Sequence, residues 1–113
     1  MSDNFVPSSL DIQTVSLATL AVEWWRLSEA LPNASGPVRH ALRKIEDFLR
    51  QYEIEVNSLN GKPFDVGMAA TVVDVVKDAS LPRGRAVVEQ TVSPMVMWRG
   101  KVIRTAEVVI RQG

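Results

Sequence analysis

The chain contains no cysteine, so it can form neither a disulfide framework nor a thiolate metal site. It has a single histidine, His40, which follows Arg39 near the start of a helical segment and off its apolar stripe. That placement reads as a solvated surface residue rather than a general base. Thirteen basic and thirteen acidic side chains cancel, which leaves no long-range field for nucleic acid or an anionic membrane surface. No apolar run reaches the roughly eighteen residues that a membrane span requires, because Glu23, Arg26, Asp74 and Lys77 interrupt the best candidates. The first seven residues lack the basic and apolar regions of a signal peptide, and a cytoplasmic location is expected. Pro82-Arg83-Gly84-Arg85 lacks the spacing of a phosphate loop, and Asp65, Asp74 and Asp78 have no second histidine or carboxylate cluster to complete a metal site. The expectation is a non-enzyme with no catalytic residues, no metal and no cofactor.

What remains is patterning. With 113 residues, 46% of them apolar, the chain lies within the size of one domain with a modest core. Residues 1–9 are polar around Pro7 and read as a disordered tail. Ser8 and Asp11 suit the cap and first turn of a helix beginning near Leu10. Within it Leu17, Leu20, Trp24, Leu27 and Leu31 repeat a three-four spacing, the seam of a heptad. Residues 32–37 interrupt it, and Pro37 suits the first turn of a second helix. There Val38, Ala41, Ile45, Phe48 and Tyr52 repeat the spacing, and Leu42 and Leu49 widen the stripe. A short connector favours an antiparallel hairpin over residues 10–52.

Such a hairpin offers more apolar surface than its two helices can cover between them. Trp24 and Trp25, about 100° apart on the helix, cannot both face one seam. Two arrangements would bury the excess. A second copy of the chain could complete a four-helix bundle through Leu17, Leu20, Trp24, Leu27, Leu31, Val38, Ile45 and Phe48, or the hairpin could pack on the β unit that follows.

After Tyr52 the period changes to two. Residues 53–57, 71–76 and 86–92 read as short strands with turn signals at Asn60-Gly61 and Pro82-Arg83-Gly84; Ser93-Pro94 breaks the last of them, and Met95 to Trp98 leads into the turn Arg99-Gly100. From Lys101 to Ile110 two faces alternate: Val102, Arg104, Ala106, Val108 and Ile110 on one, Ile103, Thr105, Glu107 and Val109 on the other. The expected fold class is therefore α+β, a helical hairpin at 10–52 followed by a small all-β domain at 53–113. Phe64, Met95, Met97 and Trp98 lie beside turns, with Lys101 and Arg104 just after. An apolar patch rimmed by cations is the composition of a protein-binding surface, and the same residues could also supply the core of a small β unit.

The order of these parts resembles the GrpE family, the nucleotide exchange factors of DnaK-type heat-shock chaperones. The resemblance spans roughly residues 15–111 and rests on the hairpin, Gly61-Lys62-Pro63-Phe64-Asp65, Pro82-Arg83-Gly84, and Gly100-Lys101-Val102-Ile103-Arg104 with Ala106 and Val108. It implies a homodimer built on a four-helix bundle, each subunit carrying a β-domain that enters the nucleotide-binding cleft of the chaperone and promotes ADP release. The partners it implies are a DnaK-type chaperone and a second copy, with no nucleic acid and no membrane. The contact positions it implies are Phe64, Lys101 and Ile110 on one exposed surface, with Met95, Trp98 and Arg104 nearby. An alternative is a GrpE-like fold without exchange activity that serves as an interaction or assembly module. It is motivated by residues 66–71 and 93–97, which differ from the family's pattern. A small enzyme, with only His40 and scattered carboxylates behind it, is the third class.

Overall fold

A computed structural model describes residues 8–113; the expected tail lies outside these residues apart from Ser8 and Ser9. Among the described residues there are two helices, α1 (Thr14–Ala30) and α2 (Gly36–Gln51). Six strands follow: β1 (Ile54–Asn57), β2 (Ala70–Lys77), β3 (Ala86–Ser93), β4 (Met95–Trp98), β5 (Lys101–Arg104) and β6 (Ala106–Gln112). The molecule is α+β and elongated, with a radius of gyration of 18.2 Å against about 13 Å for a compact chain of this length.

Helix α1 starts four residues later than the capping signal predicts. Gln13 occupies the cap with extended backbone and no side-chain hydrogen bond, and residues 8–13 are non-helical. The physical reason is packing. Leu10 is 81% exposed and Ile12 is also exposed, so nothing rewards a helical turn there, and propensity alone does not hold one.

The most buried residues of α1 are Ala18, Ala21 and Val22, which pack with Leu49 of α2, Ile54 of β1 and Val96 of β4. Leu17, Trp24, Ile45, Val56, Trp98 and Ile103 close around this first core. At about 100° per residue, Ala18, Ala21, Val22 and Trp25 share one face, and Leu20, Leu27 and Leu31 share another about 150° away. The hairpin therefore packs on its own β unit through small residues, while Leu20, Leu27, Leu31, Val38 and Phe48 stay exposed. The expected seam is split: Leu17, Trp24 and Ile45 turn toward the first core and the others do not. Trp24 also ties the helices together, its indole Nε1 donating to the Leu42 carbonyl at 3.0 Å.

The strands form two three-stranded sheets, β1-β4-β5 and β2-β6-β3. In the first, β1 and β5 both run antiparallel to β4. In the second, β6 pairs parallel to β2 and antiparallel to β3. Residues 101–110 do not make one strand. Thr105 lies between β5 in the first sheet and β6 in the second, so Val102 is exposed while Ala106, Val108 and Ile110 are buried. Buried Pro94 makes the matching crossing from β3 to β4, since it has no N–H to continue a ladder.

The second core contains Leu59, Val88, Ala106, Val108 and Ile110. The loop after β1 is stitched over it: Leu59 N–H donates to Thr91 Oγ1 at 2.9 Å, and Thr91 N–H donates to Asn60 Oδ1 at 2.6 Å. At the far end of the sheet, Asp78 accepts from the Ser80 hydroxyl at 2.6 Å, the Ser80 amide at 2.9 Å and Arg111 Nη1 at 2.8 Å. These bonds, the Ser80 hydroxyl foremost, hold its carboxyl below the usual 3.8.

Candidate partner-binding site

The residues expected to form one exposed surface divide between the two sheets. Ile110 is only 5% exposed and belongs to the second core, so it cannot present itself to a partner. Phe64 and Met95 are half-buried against that same core. Lys101 is exposed on β5 of the other sheet. The expectation that Phe64, Lys101 and Ile110 share a surface is therefore corrected. The cause is the crossing at Thr105, which turns the inward face of β6 onto the loop that carries Phe64. That loop has a structural role of its own: Gly61 N–H donates to Val88 O at 2.8 Å, Val88 N–H to Lys62 O at 2.9 Å, and Phe64 N–H to Ala86 O at 2.9 Å. Gly-Lys-Pro-Phe-Asp thus covers the edge of β3 and lowers Phe64 into the core.

What stays outside is the tip of the β4–β5 hairpin, where Trp98 pairs with Lys101 across the turn Arg99-Gly100. Both turn residues have positive φ, 49° at Arg99 and 78° at Gly100, the combination of a type I′ turn that matches strand twist. Arg99 is an unusual choice, because a side chain there is strained where asparagine or glycine is not. Its guanidinium carbon lies 4.8 Å from the centre of the Trp98 ring, and its Nε donates to Glu53 Oε2 at 2.8 Å. Glu53 is itself at φ 62°, directly after the end of α2, a position that favours glycine. Glu53 and Arg99 are the non-glycine residues of positive φ among those described, and they are bonded to each other twice, the second time through Arg99 N–H to Glu53 O at 3.2 Å.

Beside this corner runs a groove of about 680 Å³ whose walls include Phe48, Tyr52, Trp98 and the non-helical residues 8–12. Phe48 and Tyr52 form a tilted aromatic pair with ring centres 4.8 Å apart. Arg104 is half-buried farther along β5. The tip thus offers a half-buried indole, two exposed cations and an exposed carboxylate, chemistry suited to a protein contact. Sequence reasoning found Trp98 and Lys101 but not Glu53 or Arg99. Their one visible signal is the Arg-Gly turn; their pairing across 46 residues leaves no local trace.

Among the described residues, no group of three or more His, Asp or Glu side chains is arranged to hold a metal ion, and no helix is long and apolar enough to cross a membrane. No family model and no curated protein matches the chain.

Proposed function

We propose that the chain is a GrpE-like cochaperone: a homodimer through the leucine face of its hairpin, whose β unit meets the nucleotide-binding domain of a DnaK-type chaperone and promotes ADP release. The observation that carries the reading is the architecture, a helical hairpin with an apolar face left over on the side away from its own sheet, followed by a small two-sheet β unit. On this reading the contact is the β4–β5 tip, with Trp98, Arg99 and Lys101 in reach and Arg104 behind them. No covalent step is involved. The protein need only bind the open chaperone more tightly than the closed one, and a thousandfold acceleration of release corresponds to a preference of about 4 kcal/mol.

The test is release of a fluorescent ADP analogue from a DnaK-type chaperone of the same organism. Acceleration that saturates with added protein and falls with Lys101→Glu supports the reading; no acceleration at saturating protein, with no detectable complex, removes it. One observation favours the alternative of an interaction module without exchange activity: two positions that the resemblance carries as contacts, Phe64 and Ile110, are used for the second core. A complex with the chaperone that leaves the release rate unchanged would select that alternative.

A further inference from the structure

The second sheet is covered on one face. Both helices pack against the first sheet, and Leu59, Phe64 and Met68 close the inner face of the second. Alternation along β6 puts Ala106, Val108 and Ile110 on that inner face, so Glu107, Val109 and Arg111 point the other way. The register carries this outer face onto the neighbouring strands. Arg111 lies between Val76 of β2 and Val87 of β3. Bulges on both neighbours set Val73 and Asp74 opposite Val109 on one side, and Glu89 and Gln90 opposite it on the other. Glu107 lies between Thr71 and a further bulge of Val92 and Ser93, of which Val92 is the exposed member.

A solvated sheet face ordinarily alternates polar residues with the buried ones behind it. This face does not. Val72-Val73, Val75-Val76, Val87-Val88 and Val108-Val109 place a valine on each side of their strands, the pattern of strands covered on both faces. Helices usually supply that cover where strands run parallel, as β2 and β6 do here. Yet Val73, Val76 and Val92 are 51%, 40% and 39% exposed, and Val87 and Val109 are only half-buried. The valines occupy adjacent rows of one sheet, so they form a contiguous patch rather than scattered surface residues.

We infer that the outer face of the second sheet docks an amphipathic helix of a partner protein, apolar along the side laid on the valines and basic where it passes Asp74 and Glu107. The basic character follows from charge. Arg111 is already neutralised, by Asp78 at 2.8 Å and Glu89 at 3.9 Å. Asp74 and Glu107 are exposed and make no ion pair among the described residues. They stand at consecutive outward rows of paired strands, so one lysine or arginine of the partner reaches both. The same charges argue against a second copy, because a two-fold contact would turn this acidic face onto itself, and against an anionic membrane. The surface lies on the sheet that does not carry the β4–β5 tip, and it does not depend on the cochaperone reading.

The test is a titration of ¹⁵N-labelled protein with the helical peptide acetyl-(Leu-Lys-Lys-Leu-Leu-Lys-Leu)₂-amide. The amide signals of Asp74, Val76, Glu107 and Val109 shift and saturate together. The acidic counterpart acetyl-(Leu-Glu-Glu-Leu-Leu-Glu-Leu)₂-amide binds at least about tenfold more weakly. Val76→Thr with Val109→Thr keeps the β-branched shape on the outward face, so the rest of the spectrum is retained, and it weakens binding of the basic peptide by about tenfold or more. Asp74→Lys with Glu107→Lys is an independent variant on the same face, and it reverses the preference between the two peptides. Absence of a shift at these amides up to about 0.1 mM basic peptide overturns the proposal. Shifts confined to Leu20, Leu27 and Leu31 also overturn it, since they place the peptide on the hairpin. So do equal binding of the two peptides, undiminished binding in the threonine variant, and an unchanged preference in the lysine variant. Shifts at Val76 and Val109 that grow with protein concentration alone would show a second copy on the face and overturn it too.

Discussion

Replacing Leu27 with glutamate separates the two faces of α1. Leu27 is 46% exposed and lies on the side away from the first core. In an isolated chain the change is a surface substitution, expected to alter unfolding free energy by no more than about 0.5 kcal/mol. In a dimer formed through the leucine face, the exposed half of the side chain is buried. Full burial of a leucine contributes about 1.5–3 kcal/mol, so that half contributes about 1 kcal/mol per chain and about 2 kcal/mol per dimer. A carboxylate in the same seam adds a desolvation cost of several kcal/mol more. Together they amount to about 4 kcal/mol or more, at least a thousandfold in dissociation constant. Sedimentation velocity over a range of concentrations reads this directly. The wild type is expected near twice the chain mass of 12.5 kDa and Leu27→Glu near the chain mass, with helical circular dichroism preserved. Ala18→Glu is the contrasting variant: Ala18 is 1% exposed against the protein's own sheet, and a charge there unfolds the chain whatever its oligomeric state. A wild type that is monomeric at every concentration, or a Leu27→Glu variant as dimeric as wild type, refutes the reasoning.

Arg99→Asn relieves a strained turn position but removes an ion pair whose side chains are 63% and 58% exposed, so thermal unfolding should shift by only a few degrees while binding at the tip weakens. A large loss of stability would show that the Glu53–Arg99 corner holds the fold together. Thr91→Val leaves the buried Leu59 N–H without its acceptor and should lower stability by about 1–3 kcal/mol in urea unfolding. For Asp78 the folded carboxyl lies below its unfolded value, so its contribution is present above about pH 4 and is lost as the pH falls through the folded value. Asp78→Asn should therefore flatten the acid limb of a stability-against-pH curve and leave its neutral-to-basic slope unchanged.

The two helices, the strand positions and the Arg99-Gly100 hairpin were legible because each leaves a local period or a turn residue in the chain. The buried face of α1 was not, since Ala18 and Ala21 carry little hydrophobic weight beside Leu20, Leu27 and Leu31. It is their small size that lets the helix approach its sheet. Ser8 and Asp11 are sound capping residues with no packing behind them, so they signal a start for α1 ahead of the one at Thr14. Alternation across residues 101–110 continues smoothly through Thr105, where the chain changes sheets, so the pattern puts Val102 and Ile110 on one face though they lie in different sheets. Phe64 could have been core or contact from sequence, and only the pairing of its loop with β3 shows which. Glu53 and Arg99 meet through the fold alone.

The proposed release of nucleotide from a DnaK-type chaperone is tested most directly by stopped-flow measurement with a fluorescent ADP analogue. The expected rate rises to a plateau with wild-type protein, is reduced by Lys101→Glu or Trp98→Ala, and is little changed by Ile110→Val in the buried core. A rate independent of the protein at saturating concentration, with no complex in sedimentation, would contradict it.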